Sequence, residues 1–121
     1  MRSAAQAYGE IAKKVASPRE LEANLLLKAA SRLQAVQDGW DNTRPQLDDA
    51  LLYNRKLWTI FMTSITTPDH PLPAEIRQNV ANLGLFVINQ TISILANPQP
   101  EPLTSLISIN RELAAGLRGS A

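Results

Sequence analysis

Apolar residues recur along the chain at helical spacing, in blocks separated by proline and glycine, and the blocks predict five helices. The first covers about residues 4–15, with Ala4, Tyr8, Ile11 and Val15 on one stripe, weakened by Gly9. Ser17-Pro18-Arg19-Glu20 then forms a capping box. Ser17 accepts from the amide of Glu20, Glu20 reaches back to the amide of Ser17, and Pro18 takes the first helical position, where no donor is needed. This opens a second helix through about Gln37, turning Leu21, Leu25, Ala29, Leu33 and Val36 inward, with Gly39 as its terminator. A third spans roughly residues 45–66, with Asn42 or Thr43 as the cap and Asp48 and Asp49 near the positive end of its dipole. Leu47, Leu51, Trp58, Phe61, Met62 and Ile65 share its inner face, with Leu57 on the edge. After a rigid connector over residues 67–73, Pro73, Ala74 and Glu75 open a fourth helix to about Asn97, where a proline-dense run stops it. A fifth follows over about residues 103–117, closed by Gly119.

No segment alternates with period two. The expected fold is all-α: one domain over residues 1–121, a compact bundle of four to five helices, mostly antiparallel and up-and-down.

The fourth helix departs from a simple amphipathic pattern. Ile76, Val80, Leu83, Val87 and Ile94 make one apolar face, and Leu85, Ile88, Ile92 and Leu95 a second, leaving a strip of Gln78, Asn79, Asn82, Asn89 and Ser93. A helix apolar almost all round is buried all round, so it is expected either at the centre of the bundle or with one face open to a partner. Charge sharpens the point. Charged residues are only 19 % of the chain, and twelve basic against eleven acidic side chains leave +1. The deficit is local: the 23 residues between Arg77 and Glu101, and the twelve between Lys56 and Asp69, carry none. The partner-binding candidates are Trp58, Leu85, Phe86, Ile88, Ile92 and Leu95 from these stretches, with Tyr53 just before the second of them, although Trp58, like Trp40, reads first as core or near-core packing.

Other chemistry is sparse. There is no cysteine and one histidine, which excludes disulfides, thiolate metal sites and cysteine nucleophiles. His70, beside Asp69, has no serine, cysteine or second histidine at a recognisable spacing, and Asp48-Asp49 reads as a dipole complement. No catalytic, cofactor or metal residue is assigned, and a small-molecule substrate is not expected. Arg55-Lys56 near Tyr53 and Trp58 is a thin basic-aromatic patch, and the small basic excess weighs against direct RNA binding. Asn110 falls on the inward stripe of the fifth helix with Leu103, Ile107, Leu113, Ala114 and Leu117, where a buried amide sets register, so Asn110 joins Ser17 and Glu20 as structural polar residues. The first fifteen residues lack the apolar run of a signal peptide, and residues 83–96 are too short and too interrupted to span a bilayer. The expectation is a soluble, cytoplasmic protein with no membrane partner.

Four stretches in order, AYGEIAKKVASPRELEANLLLKAASRLQ, LDDALLYNRKLWTIF, LPAEIRQNVANLGLFVINQT and SLISINRELAAGLRG, resemble the FlaF family of flagellar biosynthesis regulators of alphaproteobacteria. The resemblance covers residues 7–119. It implies a non-enzymatic protein that binds flagellin as a secretion chaperone and promotes flagellin synthesis and filament assembly, acting after transcription and opposite the regulator FlbT. FlbT would be reached directly or through flagellin. The alternative is a post-transcriptional regulator acting directly on flagellin mRNA. The family's recurring words fall on Leu52, Tyr53, Asn54, Arg55, Leu57 and Trp58, on Asn79, Asn82, Leu83 and Gly84, and on Asn110, Arg111 and Glu112.

Overall fold

A computed structural model describes residues 18–119; the helix expected over residues 4–15 and Ser17 of the capping box lie outside the described residues. The order is α1 (Pro18–Asp38), α2 (Trp40–Thr43), a 3-10 turn (Arg44–Gln46), α3 (Leu47–Ile65), α4 (Ala74–Ala96) and α5 (Leu103–Gly119). No strand occurs among the described residues, and the long helices form the expected all-α bundle.

The bundle is built on an antiparallel pair, α1 against α5. Near one end the Asn24 side chain accepts from Arg118, and at the other Gln37 Nε2 donates to the Pro100 carbonyl (2.9 Å) and Thr104 Oγ1 (2.8 Å). Between these ties α1 buries Ala23, Leu26, Ala29, Ala30, Leu33 and Val36. Alanines along this seam leave room for the α5 backbone to come close. The stripe differs from the expected one, because Leu21 is exposed and Leu25 half-buried. Steps of four residues advance about 40° round a helix, so a strict four-residue ladder drifts off the face that the core selects. On α3, Leu47, Leu51, Trp58, Phe61 and Ile65 are buried, with Leu57 and Met62 half-buried beside them.

The corner between α1 and α3 was not expected to be helical. Gly39 has φ −108°, so it is a bend into α2 and not a left-handed cap. Thr43 Oγ1 donates to the Val36 carbonyl (2.8 Å) and ties that corner, while Asn42 lies inside α2; neither caps α3, whose first turn does carry Asp48 and Asp49.

Of the two placements expected of α4, the central one is not found. The helix packs mainly on α3 and touches α5 little, so it is a flank of the bundle and not its centre. Only Val80, Gly84, Val87, Thr91 and Ile94 are buried along it. Ile76 and Leu83, which share an apolar face with Val80, Val87 and Ile94, are 45 % and 37 % exposed.

Candidate functional site

The docking stripe of α4 alternates steps of four and three residues, the spacing that keeps one narrow seam against a neighbouring helix. Two of its five members are small or polar. Gly84 lies under Met62 of α3, so closely that a β-carbon there would stand 2.2 Å from the Met62 sulfur. Thr91 satisfies its hydroxyl on the Val87 carbonyl at 2.7 Å, within its own helix. The seam therefore takes few of the large apolar residues that α4 carries.

The rest face outward. Leu85, Ile88, Ile92 and Leu95 fall within roughly 80° of arc, on one flank of α4 about 100° round from the centre of the seam. Leu85 and Ile92 are each 56 % exposed and Leu95 is 43 %, with Ile88 half-buried. Leu95 continues into a shallow groove of about 250 Å³ shared with α3, whose other walls are Asp48, Leu52, Arg55 and Thr91. Leu52 extends the apolar surface. It was missed as a site residue because it lies off the α3 core stripe; that displacement, for a leucine, was the available signal. All charge at this surface comes from α3, since α4 has none beyond Arg77.

The remaining sequence candidates are not brought into this surface. Phe86, 46 % exposed, projects from the opposite flank of α4, about 100° from Leu85. Tyr53 is half-buried against α1, where its ring takes the Arg32 guanidinium at 4.6 Å and the Lys28 ammonium at 5.9 Å from its centroid. Trp58 is fully buried and belongs to the core, which removes it from any contact surface. Its ring packs edge-on to Phe61 (centroids 6.0 Å apart), and its indole N–H donates to Asn110 Oδ1.

Asn110 sits where its position on the apolar stripe placed it, fully buried. Its amide nitrogen donates to Asn54 Oδ1 (2.7 Å) and to the Leu26 carbonyl (3.3 Å), so one side chain of α5 holds both α1 and α3. Since an indole can only donate, the Asn110 oxygen faces Trp58, and that orientation fixes Asn54 in turn. Asn54 Nδ2 is left buried without a partner among the described residues. Glu20 is exposed in the first turn of α1. His70, in the connector, is half-buried, and its Nδ1 accepts from the Leu72 amide at 3.2 Å. Burial first, then Arg77 and Arg19, push its pKa below the ordinary histidine value.

No cluster of three or more metal-ligating side chains occurs among the described residues. Residues 83–96 alone are too short to span a bilayer; α4 as a whole, 23 residues, is long and apolar enough to do so by length and composition.

Fold and surface together define a small helical protein whose conspicuous feature is an exposed, uncharged helix face. The chain belongs to the FlaF family: the family model described as flagellar protein FlaF matches residues 4–117. It is thus a flagellar protein, of a family not known for enzymes. No curated protein and no solved structure matches it.

Proposed function

We propose that this protein is a non-enzymatic regulator of flagellum biogenesis that binds flagellin in the cytoplasm as a secretion chaperone, seating an amphipathic flagellin helix along Leu85, Ile88, Ile92 and Leu95 of α4 with Leu52 of α3. In this reading it promotes flagellin synthesis and filament assembly, opposite FlbT. The observation that carries it is the open α4 face, apolar and free of charge in a flagellar protein. Chains bound for filament assembly have to be kept from pairing early, and a helix laid across this face would hide its own apolar stripe. Each half-exposed aliphatic side chain covered would contribute on the order of 1 kcal/mol.

The test is the solution mass of the purified protein with and without monomeric flagellin, at low and high salt. A complex that persists at high salt and is lost with Leu85→Glu and Ile92→Glu, in variants that keep the melting temperature, is the expected result. Undiminished binding by those variants would remove the surface from the proposal. Failure to bind flagellin, with a steeply salt-sensitive shift of flagellin mRNA, would replace the chaperone reading with the RNA one.

A further inference from the structure

The exposed stripe of α4 is the same read in either direction. Leu85, Ile88, Ile92 and Leu95 follow one another at steps of three, four and three, so that leucine, isoleucine, isoleucine and leucine run symmetrically about residue 90. Steps of three and four are also the spacing at which side chains of one helix seat between those of another. Turned end for end, a second α4 therefore offers the same knobs at the same heights, with Leu85 of one copy level with Leu95 of the other and Ile88 level with Ile92. A twofold interface asks for this property, because each residue pair in it occurs twice with its members exchanged.

We infer that a second copy of this chain is the resting occupant of the stripe, its α4 antiparallel to the first about a twofold axis level with Gln90. The borders of the stripe suit a like partner. On the α3 side stand Asp48 and Arg55, of opposite sign, and α4 itself has no charge beyond Arg77, so two copies meet without a block of like charge. The other border carries the exposed amides of Gln78, Asn82 and Asn89. An amide both donates and accepts and so can pair with another amide, as two ionised groups of one sign cannot. Asn89 is one residue from the axis, where it comes beside its own counterpart. The apolar area is sufficient for a reversible pair. Leu85 and Ile92 are 56 % exposed, Leu95 43 % and Leu52 39 %. Two such faces laid together cover on the order of 1,000 Å², the lower edge for a specific interface, which gives a dimer that forms and parts readily. The same side chains are the seat proposed for flagellin, so pairing and flagellin binding exclude each other. That exchange rests on the proposed function, whereas the pairing does not. Through it the empty protein covers its own apolar face and releases it to an incoming helix.

Sedimentation equilibrium of the full chain alone tests the pairing. The average mass is expected to rise from 13.3 kDa toward twice that value between roughly 1 µM and 300 µM. A chain carrying Leu85→Glu and Ile92→Glu, both at exposed positions outside the core, is expected to stay at the monomer mass over the same range with an unchanged helical signal. The chain has no cysteine, so disulfide trapping reads the direction. Under mild oxidation, a mixture of the Leu85→Cys and Leu95→Cys proteins is expected to crosslink at least about tenfold faster than either protein alone, since the pair raises the effective concentration of one thiol at the other. A mass constant at the monomer value, a dimer that survives the two glutamates, or faster crosslinking within a single variant would overturn the inference. Monomeric flagellin, added last, is expected to convert the dimer into a complex with one copy of each chain. Flagellin bound to an intact dimer would overturn the exchange, and flagellin that does not bind at all would count against the proposed function while the pairing, measured without it, stands.

Discussion

Trp58 and Asn110, 52 residues apart in sequence, are joined inside the core by an indole N–H that donates to the amide oxygen over 2.9 Å. Asn110→Ala would leave that N–H and Asn54 Oδ1 without partners in a dry interior and open a cavity as well. The expected loss is about 3 kcal/mol of unfolding free energy, from a penalty of roughly 1–3 kcal/mol per stranded group. Urea denaturation measures it. Trp58→Phe combined with Asn110→Leu should cost less than the sum of the single changes, because the pair disappears together.

Gly84 is where the Met62 side chain of α3 lies against α4, and its role is spatial. Gly84→Ala would by propensity stabilise a helix by about 1 kcal/mol. Here the new methyl group meets the Met62 sulfur and Cγ, so a net loss is expected. Met62→Ala placed in the same chain should restore part of it, and thermal melts of the two single variants and the double variant decide the sign.

The two faces of α4 should respond oppositely to charge. Ile92→Asp, on the exposed stripe, is expected to change stability by about 0.5 kcal/mol or less, as surface substitutions do. Val87→Asp, one and a half turns away but fully buried, should unfold the chain or strip α4 from α3. Circular dichroism of both proteins is enough to tell.

His70 gives the connector a pH dependence. Its folded pKa lies below the unfolded one, so the unfolded chain binds the proton more readily; the stability it contributes is complete above about pH 6.5 and falls as pH drops from there through the folded value. Protonation also removes the Nδ1 acceptor from the Leu72 amide. The melting temperature should therefore decline from neutral toward mildly acidic pH, and His70→Asn, which keeps an acceptor and cannot titrate, should flatten that decline. Glu22 works the other way, since burial, opposed by Arg19, raises its pKa above the ordinary carboxylate value and its contribution is lost as pH rises through the folded value. A decline of unchanged size in His70→Asn would exclude the histidine as its source.

Periodicity and punctuation placed α1, α3, α4 and α5 to within about two residues, because proline and the first-turn acids act locally. They also turned Asn110 inward. Nothing local marks α2, four residues with no period to detect. On α4 the pattern was degenerate: with leucine and isoleucine on both faces, hydrophobicity alone cannot say which face docks, and the deciding residues are a glycine and a threonine that rank low on any apolar scale. Leu85, Ile88, Ile92 and Leu95 were legible as one face because angle alone groups them. Trp58 was legible as a core residue from its place on the inner stripe of α3, and its choice as a partner contact set that aside; Tyr53 and Phe86 had no such stripe to place them, and packing put one against α1 and the other on the far flank of α4.

The seam between α1 and α5 also dictates when this chain can fold. Leu26 reaches Asn110 across 84 residues, and the ties at both ends of the seam are as remote in sequence. During synthesis α1 leaves the ribosome long before the helix that covers most of its apolar face has been translated. Through that interval its alanines and leucines stay open to other chains, and the emergence of α5 is the event that closes the bundle.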